Sequence, residues 1–131
     1  MSLRTYAQAQ YPAGTGTLFP AAAQAPAANT AAVVTLAANN GVNAASAALA
    51  WKVERVRWSY SSTPTAGSLT IAWTDPVLGA AQEVYAITAA GQGEMDLYKI
   101  FPGGSAVTFT LAVGGGSVVG TVYVDAECSP A

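Results

Sequence analysis

The run Val107-Thr108-Phe109-Thr110-Leu111-Ala112-Val113 decides the fold class. Val107, Phe109, Leu111 and Val113 recur at every second position, with Thr108, Thr110 and Ala112 between them. Successive side chains of a β-strand point to opposite faces, so this spacing predicts a strand with one apolar face. Gly114-Gly115-Gly116 follows, and then a second apolar-rich run over 118–124. The expectation is an antiparallel hairpin of the two runs, turned by the glycines.

Working outward, the same pattern repeats. In 68–74, Leu69, Ile71 and Trp73 share one face while Ser68, Thr70 and Ala72 share the other. Strand-like runs also occupy 31–38, 51–59, 83–88 and 94–101, punctuated by Asn39-Asn40-Gly41, 61–67, Asp75-Pro76, Gly91, Gly93 and Pro102-Gly103-Gly104. Asn-Gly favours positive φ, so a tight hairpin turn is expected at 39–41. Residues 42–50 fit a loop, a short helix or the start of a strand. No segment carries an amphipathic helical period. The reading is an all-β protein: an antiparallel β-sandwich, jelly-roll or immunoglobulin-like, of about seven to eight short strands.

Residues 1–29 read differently. They are rich in Ala, Gln, Pro, Gly and Thr, and contain Pro12, Pro20 and Pro26. Proline removes ladder donors and breaks helices, so an extended N-terminal arm (1–29) is expected ahead of a sandwich domain (30–131). Tyr6, Tyr11, Leu18 and Phe19 stud this arm. Large apolar groups on an arm are useful when it lies on a partner, so these four are candidate partner-binding residues.

Charged residues make up only 9% of the 131 residues, while apolar residues reach 52%. An ordinary soluble domain carries about 25% charge. A surface so poor in charge suggests coverage by another subunit or another protein, and a homo-oligomer or a lattice-bound subunit is expected. Five basic residues and a net charge of -2 cannot build the stripe that nucleic acid or an anionic membrane requires. The segment after Arg4 has no apolar core of a secretory signal, so synthesis in a cytoplasm is expected.

The chain contains no histidine and one cysteine, Cys128. That removes histidine-based nucleophilic catalysis and cysteine metal clusters, and no cofactor is expected. Cys128 reads as a free thiol in a C-terminal tail. Two carboxylate pairs, Glu94 with Asp96 and Asp125 with Glu127, are spaced to share a strand face. Glycosidases use paired carboxylates, but solvent-facing charges at strand ends explain the spacing more simply, so no catalytic residue is assigned. None of the glycine runs opens a helix with a lysine, which a phosphate loop needs. Strict alternation through 51–60 places Trp51, Arg55 and Arg57 on one face with Val53, and Glu54, Val56, Trp58 and Tyr60 on the other. Trp51, Arg55 and Arg57 are therefore the second candidate partner-binding group, suited to sugar, an acidic partner or single-stranded nucleic acid, with an acidic patch on a neighbouring subunit the first target for the arginines. The simpler reading places Val56, Trp58 and Tyr60 in the core and the arginines on the outer face.

Two stretches carry a family resemblance: Trp58-Ser59-Tyr60-Ser61-Ser62-Thr63-Pro64-Thr65-Ala66-Gly67-Ser68-Leu69-Thr70-Ile71, and 107–120, which joins the opening strand to its glycine run and Ser117-Val118-Val119-Gly120. Over about 31–125 the chain resembles small β-rich virion structural proteins of tailed bacteriophages. The resemblance implies a capsid decoration (cement) subunit on the virion surface, forming a trimer and binding the major capsid protein. A tail or fibre module that recognises host carbohydrate through exposed aromatics such as Trp51 or Trp73 is the alternative. The motifs are hairpin patterns, which specify fold more than function, and they carry no catalytic residue.

Overall fold

The computed structural model describes residues 17–41, 48–87 and 91–130. Eight strands are present among them: β1 (Thr17–Gln24), β2 (Ala32–Leu36), β3 (Leu49–Tyr60), β4 (Ser68–Asp75), β5 (Gly79–Ala86), β6 (Gln92–Ile100), β7 (Val107–Leu111) and β8 (Gly120–Pro130). They form two four-stranded sheets, ordered β1-β8-β3-β6 and β2-β7-β4-β5. Every pairing is antiparallel, and the pairs are nested: β1 with β8, β2 with β7, β3 with β6 and β4 with β5. The β3–β8 and β4–β7 pairings join these ribbons into the two sheets. This is one long antiparallel ribbon rolled so that its quarters alternate between sheets, the jelly-roll form of the β-sandwich.

The alternating residues meet between the sheets. Leu69, Ile71, Val107, Phe109 and Leu111 from one sheet pack against Trp51, Val53, Val56, Val122 and Val124 from the other. All are buried, as the two-residue period requires.

The pairing differs from expectation in three places. First, the runs on either side of Gly114-Gly115-Gly116 are not a hairpin. β7 pairs with β2 and β4, whereas β8 pairs with β1 and β3. The glycine segment arches from one sheet to the other and rests on the loop after β3. Thr65 N–H donates to Gly114 C=O (2.8 Å), and Ser61 N–H donates to Val119 C=O (2.8 Å). Second, Asn39 and Asn40 do adopt left-handed backbone, each with φ 52°, but they too connect different sheets. The Asn39 side-chain oxygen accepts the N–H of Leu49 (2.7 Å) and fixes where β3 begins. Third, β1 (Thr17–Gln24), the first described strand, lies inside the expected 1–29 arm and belongs to the sandwich. β1 is an edge strand, where Pro20 leaves no central ladder bond unmade. Cys128 is likewise not in a tail: β8 runs on to Pro130, and the thiol is free and buried in the core. Burial pushes its pKa up.

Tyr60 closes one end of the sandwich. Its hydroxyl donates to Ala112 C=O (2.8 Å), so a buried polar tip is satisfied. Its ring lies so close to Gly114 that a Cβ there would sit 2.7 Å from the ring edge. Glycine is required at 114 for packing, whereas a Cβ on Gly116 would meet nothing. Gly114→Ala is therefore expected to cost about 1–3 kcal/mol by overpacking, and Gly116→Ala no more than about 0.5 kcal/mol. Urea unfolding of the two variants checks this; equal midpoints would mean that the Tyr60 contact does not constrain the crossing.

Candidate functional site

The two outer faces of the sandwich differ in chemistry. On the β2-β7-β4-β5 sheet the outward positions carry Thr35, Thr70, Thr74, Thr108 and Thr110, with Val33, Val84, Gln82 and alanines around them. Thr70 sits directly across from Thr110 at its centre. No described residue pointing outward from this sheet is charged. The β1-β8-β3-β6 sheet carries most of the charge, with Lys52, Arg55 and Arg57 on β3, Glu94 and Asp96 on β6, and Asp125 and Glu127 on β8.

A bulge in β3 produces this charged face. Val53 pairs with Ala126 of β8, yet Arg55 pairs with the adjacent Asp125, so Glu54 is an extra residue. The insertion reverses the alternation. Trp51 and Val53 point inward before it, and Val56 and Tyr60 point inward after it. Trp51 is consequently 2% exposed, with its indole N–H donating to Ala37 C=O (2.9 Å). It does not share a face with Arg55 and Arg57, which corrects the grouping expected from strict alternation. The arginines do lie on the outer face, as the simpler reading held.

Arg55 bridges three strands. Nη1 is 2.9 Å from a Glu94 carboxylate oxygen and Nε is 3.2 Å from Asp125. Hydrogen bonds to Asp125 and then Glu94 raise its pKa further. Arg55 thus has two acidic partners within the chain. Glu94 and Asp125 flank one guanidinium, which makes them salt-bridge partners rather than a separated acid and base. Arg57 reaches Asp125 only at 3.8 Å and lies over the Tyr123 ring, 5.3 Å from its centroid. Beside it runs a shallow open groove of about 470 Å³, lined by Arg57, Trp58, Ser59, Gln92, Gly93, Glu94 and Tyr123. The Trp58 indole N–H is buried here and meets no acceptor among the described residues.

Of the other expected site residues, Leu18 and Phe19 lie on β1, where their backbones pair with Glu127 and Ala126. Tyr6 and Tyr11 fall outside the described residues. Trp73 is not an exposed sugar platform: it packs edge-on against Phe101, with centroids 5.2 Å apart. Its other contact is Lys99, which the sequence reading did not single out. Lys99 leaves β6, places its ammonium 4.4 Å from the Trp73 ring centroid, and reaches Glu83 of β5 at 2.9 Å. Tyr85 donates to the other oxygen of the same carboxylate (2.9 Å). A charged pair facing between edge strands is recognisable in sequence as Glu83 and Lys99 occupying the apolar phase of their strands.

Among the described residues no group of three or more acidic or cysteine side chains is placed to hold a metal ion. No described helix is long and apolar enough to cross a membrane. No protein-family model matches the sequence, and no curated protein matches it. Among solved structures, the Yersinia pseudotuberculosis-derived mitogen is similar over 86% of this chain and 86% of that one, with a TM-score of 0.44 and 9% identity.

The Glu83–Lys99 pair gives a signed pH dependence. The Lys99 hydrogen bond holds Glu83 below the usual glutamate value. A carboxylate with a depressed folded-state pKa stabilises the fold above its unfolded pKa, and the contribution fades as pH falls through the folded value. Lys99→Met keeps the apolar stem over Trp73 but removes the charge. The variant is expected to be less stable than the parent at neutral pH and to converge with it in acid. Urea midpoints measured from pH 7 down to pH 3 check this; a gap independent of pH would assign the effect to packing instead.

Proposed function

We propose that this chain is a non-catalytic structural subunit of a phage virion. It self-associates and decorates the capsid by docking its uncharged sheet face on the major capsid protein. The observation that supports this reading most is the division of charge between the two faces. Taking an unpaired charge out of water costs several kcal/mol, and the β2-β7-β4-β5 face has none to desolvate. Its threonines offer hydroxyls for hydrogen bonds while remaining short and stiff, so little side-chain entropy is lost on docking. A sheet face of this kind presents these short side chains together to a protein lattice.

Two measurements test the reading. Quantitative mass spectrometry of virions from the source phage is expected to find copies on the scale of the shell subunits; a handful per particle would move the chain to the tail, and none would end the virion reading. Thr110→Arg places a cation at the centre of the face and is expected to weaken binding to undecorated capsids by at least about tenfold, or ~1.4 kcal/mol, with the melting temperature unchanged. Binding at full strength would remove this face from the contact.

The groove beside Tyr123 favours one second reading, a tail or fibre module that binds host carbohydrate. Arg57, Ser59, Gln92 and Glu94 supply donors and acceptors around an aromatic ring, the composition of a sugar subsite. On this reading a glycan array shows binding that Tyr123→Ala abolishes, and an array blank with the parent protein rejects it.

A further inference from the structure

One row of side chains crosses the outer face of the charged sheet. Tyr123 of β8 pairs with Arg57 of β3, and Arg57 pairs in turn with Glu94 of β6. Opposite charges directly across an antiparallel pair ordinarily meet. Arg57 and Glu94 form no ion pair with each other. Glu94 gives one carboxylate oxygen to Arg55 at 2.9 Å, and Arg57 lies over the Tyr123 ring instead. Asp125 stands 3.8 Å from Arg57, outside hydrogen-bond range. The row is thus an ion pair held open. On one side is a guanidinium with no hydrogen-bond acceptor among the described residues, and on the other a carboxylate whose second oxygen is uncommitted among them. The groove of about 470 Å³ is lined by all three members of the row.

The neighbouring positions are also uncommitted. Ser59 pairs with Gln92 in the next row, and neither side chain has a hydrogen-bond partner among the described residues. Gly93, between Gln92 and Glu94, leaves room for Trp58: a Cβ at 93 would stand 2.3 Å from the indole ring. That indole N–H is buried without an acceptor among the described residues. Buried polar groups are almost always paired, and this exception belongs to a residue of the groove wall.

We infer that this groove takes a neutral hexose, whose vicinal hydroxyls bridge Arg57 and Glu94. The inference rests on the sugar reading of the groove and names its ligand class. A hydroxyl both donates and accepts, so two adjacent ones satisfy the Arg57 fork and the free Glu94 oxygen together. A carboxylate, sulfate or phosphate satisfies Arg57 alone and sets a further negative charge beside Glu94 and Asp125. The surroundings add to that repulsion. On the strands of this sheet Glu54, Asp96 and Glu127 form no ion pair among the described residues, against Lys52 as the one basic residue without a partner. A cationic ligand instead meets Arg57 itself. Tyr123 acts by holding the guanidinium away from Glu94, so that the pair does not close on itself. The groove lies on the sheet opposite the uncharged β2-β7-β4-β5 face, and a subunit docked through that face still presents it.

A glycan array carrying neutral and acidic glycans, followed by NMR titration of the isotope-labelled full chain, tests this. Neutral glycans are expected to bind and sialylated or uronic ones to be rejected. Galactose, glucose or mannose is expected to move the Trp58 indole N–H resonance, identified by its loss in Trp58→Phe. Arg57→Gln is expected to weaken neutral-glycan binding at least about tenfold at an unchanged melting temperature. Glu94→Gln is expected to do the same and to admit acidic glycans, because the cations then stand without their carboxylate. Acidic glycans bound by the parent and lost in Arg57→Gln overturn the neutral-ligand inference while the sugar reading stands. Free glycine, a zwitterion, moving the Trp58 resonance where the hexoses do not also overturns it, as does neutral-glycan binding that both variants keep. A blank array with an unmoved resonance ends the inference and the sugar reading together.

Discussion

One extra residue in β3 governs how the rest of this molecule is arranged. β3 is the long strand that pairs with both β8 and β6. Its apolar residues change phase along its length, from Trp51 and Val53 to Val56 and Tyr60. A regular strand cannot bury both sets, because their parity differs. The insertion of Glu54 rotates the second half into register, so both sets enter the core. The same step turns Arg55 and Arg57 outward and brings Arg55 between Glu94 and Asp125. Core and charged face therefore have one cause.

That cause also explains what could be read from sequence. The faces of 68–74 and 107–113 followed directly from alternation, and the all-β sandwich followed from their recurrence. The phase change between Val53 and Val56 was visible in the residues, yet unbroken alternation carried Trp51 to the wrong face. Strand partners were not legible, because alternation states which side of a strand is buried and nothing about which strand lies beside it. The glycine run after Val113 looked like a hairpin turn for that reason. Its actual requirement, the Tyr60 ring against Gly114, is a contact between residues more than fifty positions apart. β1 was hidden by Pro20 and its run of alanines, which read as an arm; at a sheet edge that proline is tolerated, and Ala21 and Ala23 still pack on the core.

The candidate site was legible in kind but not in place. A low charge count pointed to contact surfaces, but composition cannot say where charge is missing. The fold supplies the answer by sorting the strands. β3, β6 and β8, which hold most of the charge, lie in one sheet, and the threonine-rich β4 and β7 lie together in the other. Thr70 and Thr110 are forty residues apart in the chain and adjacent across two strands. Lys99 and Glu83 show the complementary case. A pair that would be unremarkable on a surface instead faces between the two edge strands, where an inward charge discourages further strands from adding at that edge.

Blocking edge addition matters for a protein that exposes apolar groups. An unguarded edge beside Val77, Leu78 and Ile100 would invite open-ended strand pairing, since nothing in a ladder limits its growth. The Glu83–Lys99 bridge and the irregular backbone at Tyr98 interrupt the two edge strands at that corner. Neither the turn residues nor Tyr98 contributes a buried side chain to the core, so the fold would tolerate polar groups at each of these positions. Their apolar character and the left-handed backbone at Tyr98 are costs that the packing of the sandwich does not explain.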